Sequence, residues 1–133
     1  MTDIERTITL ATSPANVWAA LTDPRIIGQW MEDEAVSVEL RVGGRYTFFG
    51  GATTGAFTRI APQAALEYTW RQAEWQPAWP DSRVRWELSP AGTQTLVKLT
   101  HSHFPNMLER DSHAEGWDLY WLGPMSRWLE AHV

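Results

Sequence analysis

Apolar and polar positions alternate with period two over most of this chain, and the places where the period breaks mark its elements. Ile4, Arg6, Ile8 and Leu10 alternate with Glu5, Thr7 and Thr9, which predicts a strand whose even positions point inward, with Arg6 as its one misfit. Ser13-Pro14 then supplies a hydroxyl N-cap and a proline at the first helical position, and Val17, Trp18 and Leu21 give that helix a buried stripe. Asp23-Pro24 repeats the cap chemistry at once. It predicts a second short helix from Pro24 to about Gln29, so that two helices form a bracket ending at Trp30.

From Glu34 to His101 period two returns in about six segments divided by turn residues. Val36, Val38 and Leu40 alternate with Ser37 and Glu39, and Gly43-Gly44 turns the chain into Arg45 to Phe49. Gly50-Gly51 with Ala52, Thr53 and Thr54 makes the next loop, before a strand from Gly55 to Ile60. Arg59 has the parity of Phe57, and a single bulge would separate the two. Pro62-Gln63 leads into Leu66 to Arg71, where Leu66, Tyr68 and Trp70 share one face; Val84, Trp86 and Leu88 repeat the pattern. Pro90-Ala91-Gly92 leads into Leu96 to His101, and consecutive hairpins of this kind predict an antiparallel meander.

After Phe104-Pro105 the period changes to that of a helix. Ser112-His113-Ala114-Glu115 fits a capping box and predicts a long helix from there onward. Trp117, Trp121, Met125 and Trp128 fall at three- and four-residue spacings and form its buried stripe. Pro124 removes the amide that would bond to the Tyr120 carbonyl, which predicts a kink at Gly123-Pro124. The whole order predicts an α+β fold of the helix-grip type. A curved antiparallel sheet of about seven strands wraps a long C-terminal helix, two short helices follow strand 1, and residues 1–133 make one domain.

Several blocks then carry a family resemblance. Val17-Trp18-Ala19-Ala20-Leu21-Thr22-Asp23-Pro24, Trp30, Gly43-Gly44-Arg45, Gly55 with Pro62, Leu66-Glu67-Tyr68-Thr69-Trp70, Leu99-Thr100-His101-Ser102 and His113-Ala114-Glu115-Gly116-Trp117 follow one another in order. Together they resemble the activator of heat-shock-protein ATPase homologue-like family, within the START-like, or polyketide cyclase (SRPBCC), superfamily. The resemblance implies a cavity between sheet and C-terminal helix. The superfamily's activities range from lipid and hormone binding to polyketide cyclisation and toxin resistance, so the fold alone selects none of them. Two departures bear on the pocket mouth: His103, where the pattern has glycine, and the tryptophan-rich segment Ala73 to Asp81.

Composition narrows the picture. Eleven basic against sixteen acidic residues leave a net charge of −5, the wrong sign for a phosphate-tracking surface, so nucleic acid is not an expected partner. The absence of cysteine excludes disulfides and thiolate chemistry. No stretch approaches the roughly 18 consecutive apolar residues of a membrane helix, and no leader pattern opens the chain, so a cytoplasmic protein is expected. The outlier is nine tryptophans in 133 residues, more amphipathic ring surface than a routine core of this size absorbs.

The patterns direct Trp30, Phe48, Phe57, Tyr68, Trp70, Trp86, Leu99, Trp117, Tyr120 and Trp121 at one interior, which is either a packed core or the lining of an apolar ligand cavity. His101 follows Val97 and Leu99 on the inward face. It is either a ligand-orienting or proton-transferring group, or a structural histidine bonded within the core. His101, His103 and His113 lack the carboxylate or cysteine that would complete a familiar metal motif, and neither metal nor other cofactor is expected. Glu32-Asp33-Glu34 reads as a solvated acidic turn. Trp75, Pro77, Trp79 and Pro80 stiffen a long loop whose tryptophans either face a protein partner or fold back on the sheet. The leading functional expectation is binding of a small hydrophobic, aromatic or polyketide-like molecule. The alternatives are a cyclase, aromatase or dehydratase using His101 as acid or base, and a co-chaperone-like module using the Trp75/Trp79 loop; monomer and homodimer both remain open.

Overall fold

The computed structural model describes residues 2–132. Strand β1 (Ile4–Leu10) is followed by helices α1 (Pro14–Thr22) and α2 (Pro24–Met31), then by β2 (Ser37–Val38), β3 (Arg45–Phe48), β4 (Thr53–Ala61), β5 (Ala65–Gln72), β6 (Ser82–Ala91) and β7 (Gln94–Ser102). The seven strands form one antiparallel sheet in the order β1-β7-β6-β5-β4-β3-β2. This is the expected meander, with β1 returning to pair along β7 from Ile4↔His101 to Leu10↔Thr95. A helical segment then runs across the concave face: α3 (Met107–Gly116), a π-helical turn (Trp117–Leu122) and α4 (Gly123–Ala131).

The two short helices form where cap chemistry places them. Ser13 accepts a hydrogen bond from the Asn16 amide, and Asp23 accepts one from the Arg25 amide, each satisfying a free helix-start donor ahead of a proline. The bracket closes through Trp30, whose buried indole N–H donates to the Ala20 carbonyl at 2.9 Å. Phe57 and Arg59 part company at a bulge in β4: Phe57 is buried, while Arg59 turns outward to Glu67 at 3.3 Å. Arg6, the misfit of β1, spans the gap to the helix, donating to Asp118 at 3.1 Å and to the Ala114 carbonyl at 3.1 Å.

Three expectations need correction. The segment from Val36 to Leu40 pairs only at Ser37 and Val38, and Leu40 is exposed, because Arg41 and Glu39 turn the chain through Arg41 N–H to the Glu39 carbonyl. The long helix begins six residues before Ser112, at an Asn106 cap whose side chain accepts from the Glu109 amide. The interruption is a π-helical turn just ahead of Pro124, with the Gly123 amide bonded to the Asp118 carbonyl in place of the α-helical partner. The wider turn shifts the helix phase. Trp117, Trp121, Met125 and Leu129 therefore form the buried stripe, and Trp128 lies half-buried at its edge, donating to Gln29.

Candidate ligand-binding site

The expected inward positions of β5, β6 and β7 do converge: Leu66, Tyr68, Trp70, Val84, Trp86, Val97, Leu99 and His101 are buried in one core with Trp117 and Trp121. Most of these side chains pack against one another. Trp86 donates its indole N–H to the Tyr68 hydroxyl at 2.9 Å, and Tyr46 stands between Phe48, Phe57 and Tyr68 with ring centroids 4.6, 5.7 and 5.0 Å away. Burial holds both tyrosine hydroxyls well above the ordinary phenol range, so both remain neutral.

His101 is fully buried and its two ring nitrogens are both engaged. The Trp117 indole N–H donates to Nδ1 at 3.0 Å, which leaves the ring proton on Nε2. Nε2–H then donates to the Ser82 hydroxyl oxygen at 2.7 Å, and the Ser82 O–H donates to the Trp70 carbonyl at 2.9 Å. Burial pushes the imidazole well below its ordinary titration range, and His113 nearby adds to the effect. The geometry is that of a neutral histidine tying β6, β7 and the helix together.

His113 is held in the opposite tautomer. Its Nδ1–H donates to the Glu109 carbonyl at 2.7 Å, and its Nε2 accepts the Trp70 indole N–H at 3.1 Å. Trp75 reaches the same helix through Glu109 Oε1. These polar bonds matter because α3 has no fully buried residue of its own. In the tryptophan loop Trp75 is buried and Trp79 half-buried, so both fold back against the protein, with Trp79 still partly open to its surroundings.

Between α3, the π-helical turn and the open end of β4 and β5 lies a half-open cavity of about 290 Å³. Its walls are Trp70, Trp117 and Trp121, with Phe49, Tyr120 and Gly116 toward the mouth and Ala52, Thr53, Gln72, Ser112 and His113 completing the lining. Of the candidate residues, Trp70, Trp117, Tyr120 and Trp121 therefore border the space. Phe48, Phe57, Tyr68, Trp86, Leu99 and His101 lie in the packed core behind it, because a strongly curved sheet brings only its mouth-side residues against the opening. Tyr120, expected inward, is 62% exposed: it precedes Trp121 by one residue on the helix and stands at the rim. There, with Phe49, it also borders an adjoining cleft of about 430 Å³ that holds Trp30, Glu32 and Arg127.

Sequence pattern missed Phe49, Thr53, Gln72 and His113. Phe49 adopts a left-handed backbone (φ 54) at the start of a 3₁₀ turn over Phe49–Gly51, which breaks the alternation. Gln72 could have been found, since it continues the inward parity of Tyr68 and Trp70. Trp121 is a further singularity: among the described residues its Nε1 is the one buried side-chain polar atom without a hydrogen-bond partner. Its ring is enclosed by Trp30, Phe48, Trp70 and Trp117 at 4.9 to 6.0 Å between centroids, so aromatic faces are its neighbours. Among the described residues no three His, Cys, Asp or Glu side chains gather in a metal-holding group, and no helix is long and apolar enough to cross a membrane.

The fold has many known relatives. An HSP90 activator from Plasmodium falciparum is 26% identical, with a TM-score of 0.87 over 98% of this chain and 97% of that one. CalU16 from Micromonospora echinospora is 25% identical, with a TM-score of 0.81 over 98% of this chain and 77% of that one. The Aha1 dimer from Colwellia psychrerythraea, at 22% identity and a TM-score of 0.78 over 92% of each chain, shares the fold. No curated protein matches the chain. The model of the Activator of Hsp90 ATPase homolog 1-like protein family matches residues 11–130, and with the START-like, helix-grip architecture this chain belongs to that family.

Proposed function

We propose that the protein binds a small hydrophobic molecule, aromatic or polyketide-like, in the cavity between the sheet mouth and the helix. The observation that carries this reading is the half-open space itself, walled by Trp70, Trp117 and Trp121. A close-packed interior has few voids larger than a water molecule. About 290 Å³ is near the lower limit of small-molecule sites and holds a compact ring system. Large aromatic faces give such a ligand area and stacking at little entropic cost. Titration with naphthalene, followed by tryptophan fluorescence and by the thermal unfolding midpoint, tests it: quenching and a rise in midpoint are expected. Absence of both across a panel of compact aromatic compounds contradicts it.

Binding is favoured over acid–base catalysis because His101, the residue on which the cyclase or dehydratase alternative rests, has both ring nitrogens committed to Trp117 and Ser82 and does not line the cavity. A second reading, as a partner of a chaperone ATPase, draws on the likeness to the Plasmodium HSP90 activator. It predicts stimulation of Hsp90 ATP hydrolysis by the purified chain, and no stimulation removes it.

A further inference from the structure

Whatever enters the cavity meets an uncharged wall. None of its eleven lining residues is Asp, Glu, Lys or Arg, and the single imidazole there, His113, has its acceptor nitrogen filled by the Trp70 indole and its N–H by the Glu109 carbonyl. An ionised ligand would lose its hydration without gaining a counter-charge.

Besides the hydroxyls of Ser112 and Tyr120, the lining holds one further polar side chain whose orientation is fixed by a neighbour. Thr53 and Gln72 stand directly opposite each other on β4 and β5, with Thr53 fully buried and Gln72 half-buried. Thr53 Oγ1 lies 2.5 Å from Gln72 Oε1. The Thr53 hydroxyl donates to Oε1, which holds the Gln72 carboxamide with its oxygen on Thr53. The carboxamide NH₂ is then left with two donors and, among the described residues, no protein acceptor. Gln72 shares the inward parity of Trp70 and lines the cavity with it.

We propose that Gln72, pinned by Thr53, is the specificity-determining polar group of the site, and that the ligand is an uncharged aromatic compound carrying a hydrogen-bond acceptor such as a ketone or quinone carbonyl. The inference rests on the reading of the cavity as a ligand site. The aromatic walls take the ring and the Gln72 amide takes the carbonyl oxygen. Charged analogues are rejected by desolvation.

Equilibrium dialysis of the full chain against naphthalene, acetonaphthone and naphthoate separates the possibilities. Acetonaphthone is expected to bind about fivefold more tightly than naphthalene, the net effect of one neutral hydrogen bond, and naphthoate more weakly than acetonaphthone. Gln72→Leu should abolish the ketone's advantage over naphthalene, and Thr53→Val, which releases the pin, should shrink that advantage. A ketone preference that survives Gln72→Leu, or tightest binding of naphthoate, overturns the assignment. Naphthalene binding with no ketone preference in the unaltered chain removes only the role of Gln72, whereas failure of all three probes removes the ligand site as well.

Discussion

Trp117 and His101 meet in the core through an indole N–H that donates to Nδ1 at 3.0 Å, and this bond fixes where the histidine proton sits. With Ser82 on the other nitrogen and the Trp70 carbonyl behind Ser82, four residues from β5, β6, β7 and the helix form one satisfied polar chain in apolar surroundings. His101→Phe keeps a ring of similar size but leaves the Trp117 donor and the Ser82 hydroxyl short of partners. We expect it to lower stability by about 2–4 kcal/mol in urea unfolding. A loss under about 1 kcal/mol would mean that the chain is not the tie described.

The same burial makes stability depend on pH. His101 is held neutral in the fold, so its titration lies well below the unfolded value near 6.5. In the folded state it binds fewer protons than in the unfolded state as the pH falls below 6.5. Its contribution is therefore present above that pH and declines on acidification, by up to about 1.4 kcal/mol per pH unit. Unfolding free energies measured between about pH 7 and pH 5 should fall, and His101→Phe should flatten the slope. An unchanged slope in the variant would place the dependence elsewhere.

Gly55 makes room for the aromatic core. A Cβ there would lie 1.9 Å from the Thr69 carbonyl oxygen and 2.7 Å from the Tyr46 ring and hydroxyl. The Tyr46 hydroxyl itself donates to the Thr69 carbonyl at 2.5 Å, so neither neighbour can withdraw without losing that bond. Gly55→Ala should cost about 3 kcal/mol or more in chemical denaturation. A near-neutral effect would show that β4 and β5 can separate freely.

His103 has a left-handed backbone (φ 65), a conformation that favours glycine. Its side chain is exposed and bonds only locally, to the Ser102 hydroxyl at 2.9 Å. His103→Gly relieves the Cβ penalty of this conformation and should raise stability by roughly 0.5–1 kcal/mol, net of the added freedom of the unfolded chain. Thermal unfolding checks it, and a drop in midpoint would contradict the strain.

Strand alternation and proline-led caps made the grip legible from sequence, because both arise from local chemistry: Tyr68, Trp70 and Trp86 fall inward as their parity requires. The helix start is ambiguous in the sequence because Ser112-to-Glu115 and Asn106-to-Glu109 carry nearly the same capping signal. What decides between them is long-range: Trp70 on His113 and Trp75 on Glu109 hold the earlier turns. Apolar periodicity is silent there, since α3 buries no residue fully. The cavity lining was only partly visible. Trp70, Trp117 and Trp121 were readable from period, but Phe49 enters through a positive φ, and the separation of lining from core depends on sheet curvature that no local pattern encodes.

Whether a small aromatic molecule lodges against Trp70, Trp117 and Trp121 is read out by titrating naphthalene into the protein and following the assigned indole N–H signals by NMR. Saturable shifts are expected at Trp70, Trp117 and Trp121, which border the cavity, with Trp18 and Trp128 unmoved. No saturable shift at the three, or shifts confined to Trp30 and Trp128 in the adjoining cleft, would contradict it.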